Sequence, residues 1–244
     1  MSNPYFQFKQ FTIFHDQCAM KVGTDGVLIG AWTDCSRAER ILDVGTGSGL
    51  IALMLAQRSK ALIDALDIDE NACIQAKYNV ENSIFRERIQ VIQSDFNHFN
   101  TDHKYDLIVS NPPYFVNSLP APDRQRNMAR HNHTLSFETL LKKSVTLLIE
   151  KGKIALILPY DMENQIQFLA ENNGLFLYRK TIVRPKPDMN PKRILLEYAK
   201  MKASPEISEF FIEKEQHVYS EELRQLTEEF YLSTPKSPKR DLDE

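Results

Sequence analysis

The sequence has no apolar run that approaches the roughly 20 residues a membrane-spanning helix needs. Its first residues do not join a basic stretch to an apolar one, so no signal peptide is predicted. Positive charge is not in excess, because 30 Lys and Arg stand against 33 Asp and Glu. Any contact with nucleic acid must therefore come from a local patch. These absences predict a cytoplasmic protein that is not attached to a membrane.

Cysteine is scarce as well. Cys18, Cys35 and Cys73 are odd in number, and no two of them have the Cys-x-x-Cys spacing. This argues against a disulfide framework and against a zinc site, and it fits a reducing compartment. His131 and His133 lie close together, but without a nearby cysteine or a suitably spaced pair of carboxylates they are not expected to bind a metal.

Strand-like and helical segments alternate along most of the chain. Apolar or alternating segments predict strands at 40–44, 62–67, 88–93, 105–110, 153–158, 175–183 and 194–200. Helical periodicity lies between them, at 48–59, 71–82, 137–150 and 161–172. This order predicts an α/β fold with a mostly parallel, doubly wound sheet that helices cover on both faces.

The domain organisation is predicted to be simple. No linker rich in Gly or Ser divides the chain, so residues 40–232 are expected to form one domain. Residues 1–39 are expected to pack against this domain and to line its ligand site. Residues 233–244 have almost no apolar side chains and are predicted to be a disordered tail.

The sequence LDVGTGSGL, residues 42–50, joins the first predicted strand to the first predicted helix. Gly45, Gly47 and Gly49 allow a tight turn and a close approach of a ligand to the backbone, at the strand end where doubly wound sheets bind ligands. A dinucleotide-binding loop reads G-x-G-x-x-G, whereas this loop reads G-x-G-x-G, and the carboxylate of Asp43 would repel a pyrophosphate. The loop therefore favours a cationic ligand without phosphate, S-adenosylmethionine, over a turn that needs glycine for its geometry alone.

Two further strands end in acidic residues. Asp67 follows the apolar run of the second strand, about twenty residues after the loop, where a carboxylate can accept hydrogen bonds from ribose hydroxyls. The alternative for Asp67 is a solvated turn without a ligand. Asp69 is predicted to cap the next helix. The third strand ends before Asp95 and Phe96. Asp95 can accept from an adenine amino group while the Phe96 ring packs on the base.

The fourth strand runs into Asn-Pro-Pro-Tyr, residues 111–114, and two prolines cannot continue a sheet. The Asn111 side-chain carbonyl and the Pro112 backbone carbonyl can accept hydrogen bonds from a planar nitrogen and draw it towards tetrahedral geometry. Because the prolines hold both acceptors rigid, little reorganisation is needed during reaction. Tyr114 can stack on a planar substrate. These three residues are the predicted catalytic groups; the alternative is a Pro-Pro loop with a surface tyrosine.

Taken in order, residues 43–49, Asp67, Asp95 and residues 111–114 resemble the amino-methylating class I S-adenosylmethionine-dependent methyltransferases. The sequence MKVGTDGVLIGAW, residues 20–32, is similar to the segment that lines the methionine end of the cofactor in that group. With RHNHTLSFETLL near residue 130 and RPKPDMNPKRILLEY near residue 190, residues 5–232 resemble the bacterial tRNA(Val) adenine-37 N6-methyltransferase family.

The resemblance implies a Rossmann-like class I methyltransferase fold with a seven-stranded sheet whose last strand is antiparallel. It implies S-adenosyl-L-methionine as cofactor and a tRNA anticodon loop as partner, with no metal, no membrane and a monomeric chain. Cofactor contacts are expected from Lys21, Thr24, Asp25, Gly26, Asp43, Gly45, Thr46, Gly47, Gly49, Asp67, Ile68, Asp95, Phe96 and Asn111. Substrate contacts are expected from Pro113, Tyr114, Phe115, Arg130, His131, Arg184, Lys192 and Arg193.

The Asn-Pro-Pro-Tyr motif alone does not choose the substrate. Enzymes with this motif methylate adenine N6, cytosine N4, guanine N2 of some RNAs, or protein glutamine amides. A protein glutamine N5-methyltransferase and an rRNA guanine-N2 methyltransferase therefore remain alternatives. The chain has no room for a DNA-recognition domain of about 100 residues, and an unstacked RNA loop is easier to read than a duplex. Basic residues at 124–133 and 179–193 can bind its phosphates or form a solvated surface. A binding protein with a vestigial motif is disfavoured by the intact motif.

Overall fold

The computed structural model of the chain describes residues 3–16, 22–113, 135–216 and 218–232. Lys21, Tyr114, Phe115, Arg130 and His131 lie outside these ranges, as do His133, Cys18 and the predicted tail 233–244. The helices are α1 (Thr24–Trp32), α2 (Leu50–Arg58), α3 (Glu70–Glu81), α4 (Phe137–Leu147), α5 (Glu163–Asn172) and α6 (Glu221–Thr227). The strands are β1 (Tyr5–Gln7), β2 (Thr12–Phe14), β3 (Arg40–Val44), β4 (Leu62–Asp67), β5 (Ile89–Gln93), β6 (Tyr105–Ser110), β7 (Leu148–Pro159), β8 (Phe176–Arg184), β9 (Arg193–Ala199), β10 (Glu206–Phe211), β11 (Glu213–Glu215) and β12 (Val218–Tyr219).

The central sheet has the strand order β10-β8-β9-β7-β6-β3-β4-β5. Within this order, the five strands β7, β6, β3, β4 and β5 are each parallel to their neighbours. Strand β9 runs antiparallel to both β7 and β8. The predicted fold class is confirmed, including the antiparallel strand at 194–200. In this topology the chain leaves β3, β4, β6 and β7 at the same edge of the sheet, where ligands bind in open α/β folds.

The predicted count of seven strands is one too low, because β10 adds an eighth strand at the edge, parallel to β8. Residues 206–209 of β10 are all exposed. Its sequence, EISEFF, also lacks the alternation of apolar and polar residues that indicates a strand. Backbone pairing with β8, from Glu206 opposite Arg179 to Phe211 opposite Arg184, holds it in place.

The core consists of two apolar clusters on opposite faces of the sheet. One cluster contains side chains of α1 and α2 together with Phe8, Phe11 and Ile13 from the N-terminal region. The other contains side chains of α4 and α5, such as Leu140 and Ile166. The central strands are buried on both faces, which explains why their sequences read as continuous apolar runs.

A buried group of charges joins β7, β8 and β9 beneath α1. Glu197 of β9 is fully buried, and its carboxylate oxygens contact Lys153 Nζ at 2.9 Å and Arg179 Nη2 at 3.3 Å. The Arg179 guanidinium lies 3.8 Å from the centroid of the Trp32 ring, and Trp32 Nε1 donates to Thr181 Oγ1 at 2.8 Å. These contacts anchor the C-terminal end of α1 to the sheet.

Replacing Glu197 with alanine is expected to lower the free energy of unfolding by about 3 kcal/mol, because two cations lose their buried counter-charge. Urea unfolding followed by circular dichroism measures this change. Glu209→Ala is the matched control, since Glu209 pairs with Arg184 at the surface and its loss is expected to cost less than about 1 kcal/mol. Equal effects of the two substitutions would contradict a structural role for the buried group.

None of the helices in the described part of the chain is long and apolar enough to cross a bilayer. Within the same residues, no three His, Cys, Asp or Glu side chains are grouped so that they can hold a metal ion. Cys35 and Cys73 are both buried as free thiols.

Candidate functional site

The glycine loop lies between β3 and α2, and each of its glycines has a positive φ angle. These angles are 77° at Gly45, 55° at Gly47 and 82° at Gly49, a region that favours glycine because it lacks a Cβ. The N–H groups of Gly45 and Thr46 both donate to Leu66 O, at 2.8 and 2.9 Å, which ties the loop to β4. The loop conformation therefore requires glycine, as the sequence predicts.

Asp43 lies beneath this loop and is fully buried. Its Oδ2 accepts from Thr46 Oγ1 at 2.6 Å and from Ala52 N at 3.1 Å, whereas Oδ1 is buried without a hydrogen-bond partner among the described residues. Burial raises the pKa of Asp43 to about 7, although the two hydrogen bonds act in the opposite direction. A carboxylate held in this way is stabilised by a ligand that brings positive charge or an N–H donor.

Asp67 ends β4 next to the loop. Its Oδ2 accepts from Gly47 N at 2.8 Å, and its Oδ1 accepts from Asp69 N at 3.0 Å. Each carboxylate oxygen has a second lone pair, so these contacts orient Asp67 without exhausting its capacity as an acceptor. Asp69 caps α3 by accepting from Ala72 N at 2.8 Å, as predicted. Ile68 between them is exposed.

Asp95 follows β5 and already has partners within its own turn. Its Oδ1 accepts from the backbone and side-chain N–H groups of Asn97, at 2.9 and 2.8 Å, and Oδ2 lies 3.0 Å from His98 Nδ1. The Phe96 ring is only 4% exposed and belongs to one of the core clusters. The structure therefore places Asp95 at the expected edge, but leaves little of the Phe96 ring accessible for packing on a base.

The start of the Asn-Pro-Pro segment lies beside the glycine loop. Val44 of β3 and Ser110 of β6 are paired in register, and Ser110 Oγ donates to Val44 O at 2.7 Å. Gly45 and Asn111 are the residues that follow this pair, and adjacent strands are about 4.8 Å apart. Asn111 is half-buried, Pro112 is buried and Pro113 is exposed. The topology thus brings the two strongest motifs to one point.

Helix α1 carries the described part of the predicted N-terminal contacts. Thr24 is exposed, and a Cβ on Gly26 would lie 2.9 Å from Leu50 Cδ2, so Gly26 serves the close packing of α1 on α2. Asp25 Oδ2 accepts from Arg193 Nε at 2.8 Å. A predicted cofactor residue and a predicted substrate residue therefore form an ion pair across 168 positions of sequence.

The basic segment 179–193 carries less free positive charge than its sequence suggests. Five of its six basic side chains form ion pairs with carboxylates: Arg179–Glu197, Lys180–Glu163, Arg184–Glu209, Lys186–Glu213 and Arg193–Asp25. The sixth, Lys192, is exposed. Because the acidic partners come from distant segments, the sequence of this region overstates its charge.

Asn79 on α3 was not among the predicted site residues. It is 1% exposed and lies on the buried face of α3 with Ala76 and Val80. Its side chain contacts both the glycine loop and the end of β2. Gln75, one turn earlier on the same face, is buried as well, so polar residues on the buried face of α3 are the sequence signal that indicates such a role.

The residues around the glycine loop fit S-adenosylmethionine, which carries an ammonium and a sulfonium and no phosphate. Asp43 offers a buried carboxylate oxygen, and, apart from the glycine itself and its two chain neighbours, no heavy atom of the described residues lies within 4 Å of a Cβ built on Gly45 or Gly47. The loop therefore has open space beside it, with a carboxylate beneath.

Comparison with known proteins gives close and nearly full-length relatives. The family model "Methyltransferase small domain" matches residues 23–167. A tRNA1(Val) (adenine(37)-N6)-methyltransferase of Parabacteroides distasonis is 54% identical over 235 residues, which cover 95% of this chain and 99% of the relative. The protein of the same name from Bacteroides thetaiotaomicron is 50% identical over 234 residues, with 95% and 99% coverage.

Solved structures agree on the fold. A predicted O-methyltransferase from Agrobacterium tumefaciens has a TM-score of 0.67 at 17% identity, covering 84% of this chain and 96% of its own. A tRNA m1G37 methyltransferase of M. jannaschii has a TM-score of 0.57 at 17% identity, covering 83% and 59%. At these identities the structures support the fold alone. The close relatives confirm the resemblance seen in the motifs, and the chain belongs to the tRNA1(Val) (adenine(37)-N6)-methyltransferase family.

Proposed function

We propose that this enzyme transfers the methyl group of S-adenosyl-L-methionine to N6 of the adenine at position 37 in the anticodon loop of a valine tRNA. The observation that carries the proposal is the pairing of Val44 with Ser110, which sets Asn111 beside the glycine loop at the ends of adjacent strands. The relatives described above carry the name of this activity. They give no support to a glutamine N5 or a guanine N2 substrate.

The cofactor site consists of the glycine loop with the acidic residues around it. Asp43 beneath the loop stabilises positive charge, and Asp67, oriented by Gly47 N, accepts from the ribose hydroxyls. When bound, S-adenosylmethionine supplies a methyl group that its positive sulfur already makes electrophilic, so no strong general base is required. Asp95, Thr24 and Lys21 complete the proposed cofactor contacts.

Asn111 and Pro112 activate the nucleophile. The adenine amine is a poor nucleophile because its lone pair is delocalised into the ring. The Asn111 side-chain oxygen and the Pro112 carbonyl oxygen accept hydrogen bonds from the two N–H groups of the adenine amine. These hydrogen bonds favour the tetrahedral geometry of the transition state. Pro112 is buried and has a fixed φ angle, so the acceptors are preorganised.

The RNA is proposed to approach the edge of the sheet where β8 and β9 meet. Val183 and Pro159 are both paired with Arg193, so the turn between β8 and β9 lies at the same edge as the glycine loop. Lys192 in this turn is exposed and can contact a phosphate. Arg184 and Arg193 already have carboxylate partners, so a phosphate must share or replace these partners.

The proposed activity is tested with a valine tRNA transcript, the purified enzyme and methyl-labelled S-adenosylmethionine. We expect about one methyl group per tRNA, recovered as N6-methyladenosine after nuclease digestion and mass analysis. A transcript with guanine at position 37 is the matched control and should accept no label, because it lacks the exocyclic N6 amine. Label in N2-methylguanosine, equal label in both transcripts, or ribonuclease-resistant label in protein would contradict the proposal.

A further inference from the structure

The side-chain amide of Asn79 connects two segments that lie far apart in sequence. Its Oδ1 accepts from Phe14 N at 2.9 Å, and its Nδ2 donates to Phe14 O at 2.9 Å. The same Nδ2 donates to Ser48 O of the glycine loop at 2.8 Å. One buried amide therefore satisfies both backbone groups of Phe14 and a carbonyl of the loop.

The contacts of Asn79 with Phe14 resemble those of a neighbouring strand. Phe14 ends β2 and is paired with Tyr5 of β1 on its other side. Its ring also makes an edge contact with Tyr78, with centroids 5.3 Å apart. Two consecutive residues of α3 thus fix both the backbone and the ring of Phe14. This is the point from which the chain continues towards Thr24 at the start of α1.

The glycine loop is fixed by the same helix. A Cβ on Gly49 would lie 3.4 Å from Ala76 Cβ, so the loop approaches α3 closely one turn before Asn79. The hydrogen bond from Asn79 to Ser48 adds a second contact of the loop with α3. Asn79 is 1% exposed and its hydrogen bond to Ser48 O is buried, whereas Phe14 is half-buried. A buried polar group left without its partner is costly.

We propose that Asn79 is a positioning residue for cofactor binding, because it holds the glycine loop at a fixed distance from Phe14, the last residue of β2. It does not contact the reacting atoms; it fixes the position of the glycine loop, residues 45–49, relative to Phe14 at the end of β2. The inference rests on the proposed role of the glycine loop as the cofactor site. It adds a residue to that site and assigns it a geometric task.

Asn79→Asp is the test substitution, and Asn82→Asp, at the residue that caps the C-terminus of the same helix, is its control. The introduced carboxylate keeps an acceptor for Phe14 N but loses both donors and faces two carbonyl oxygens. We expect the Kd for S-adenosylmethionine, measured by calorimetry, to rise about tenfold or more because two donated hydrogen bonds are lost. Asn82 is exposed and donates to Tyr78 O at 2.8 Å. Its substitution should change the Kd by less than about twofold.

Two readouts separate positioning from general destabilisation. In steady-state kinetics the KM for S-adenosylmethionine should rise in Asn79→Asp, while the KM for tRNA stays near that of the wild type. Protonation of the introduced carboxyl group restores one donor, so the ratio of mutant to wild-type Kd should narrow as the pH falls. A Kd for S-adenosylmethionine equal to that of the wild type would overturn the inference. A parallel rise of the KM values for S-adenosylmethionine and for tRNA would overturn it as well.

Hydrogen exchange on the unmodified protein tests the same point if the variant does not fold. The Phe14 amide should be protected in the free protein, and its exchange should slow further when S-adenosylmethionine is added. Unchanged exchange of this amide, in a protein that binds the cofactor, would overturn the inference while leaving the proposed function intact. A protein that does not bind S-adenosylmethionine at all would instead overturn the proposed function.

Discussion

Replacing Asn111 with alanine is expected to lower kcat for methyl transfer about 100- to 1000-fold, the range observed when one preorganised hydrogen-bonding group is removed from a transition state. The loss arises because the adenine nitrogen no longer has a side-chain acceptor to draw it out of conjugation. The Kd for S-adenosylmethionine should change only slightly, since the glycine loop and its acidic residues remain. Single-turnover assays with labelled cofactor measure the rate, and calorimetry measures the Kd.

Asn111→Asp is the matched control for this substitution. It retains a side-chain oxygen that can accept a hydrogen bond, so we expect it to keep substantially more activity than Asn111→Ala. Equal activity of the wild type and Asn111→Ala would show that the motif does not act on the nucleophile. Equal and complete loss in both variants, accompanied by loss of cofactor binding, would show that Asn111 serves the fold.

Cofactor binding is expected to release protons near pH 7 through Asp43. Burial raises the pKa of Asp43 to about 7 in the free protein, so its carboxyl group is partly protonated at neutral pH. A cationic ligand favours the carboxylate and therefore lowers this pKa. The affinity for S-adenosylmethionine should rise with pH up to about 7, by at most about tenfold per pH unit.

Calorimetry in two buffers with different ionisation enthalpies measures this proton release. Asp43→Asn should abolish the difference between the buffers and weaken binding. Asp106→Asn is the control. Asp106 accepts hydrogen bonds from the backbone N–H groups of residues 39 and 40, but it lies at the opposite end of β3 from Asp43. It should leave the proton release unchanged. Identical enthalpies in both buffers for the wild type would contradict a protonated Asp43.

The same shift has a consequence for the stability of the free protein. The pKa of Asp43 is raised from 3.8 in the unfolded chain to about 7 in the folded chain, so the folded state binds more protons between these values. Its contribution to stability is therefore fully present below pH 3.8 and is lost as the pH rises through 7. The slope is at most about 1.4 kcal/mol per pH unit. Thermal unfolding of wild type and Asp43→Asn across pH 4–8 measures it.

The sequence alone determined the fold and the position of the main motifs. The predicted strands at 40–44, 62–67 and 105–110 have the same bounds in the structure. Buried parallel strands are largely apolar runs, and here Gly45 follows the first, Asp67 ends the second and Asn-Pro follows the third. Because parallel strands end at one edge, placing the glycine loop, Asp67 and Asn111 together required only the order of the elements.

Only the tertiary structure decided what the distant segments do to one another. Arg193 appears in sequence as part of a basic patch, yet Asp25 neutralises it from the other end of the chain. Asn79 appears as one polar residue of a helix, yet it binds Phe14 and the glycine loop. Strand β10 appears as a polar segment, yet β8 pairs with it. In each case the partner lies far away in sequence, and local composition and periodicity contain no information about contacts that folding alone creates.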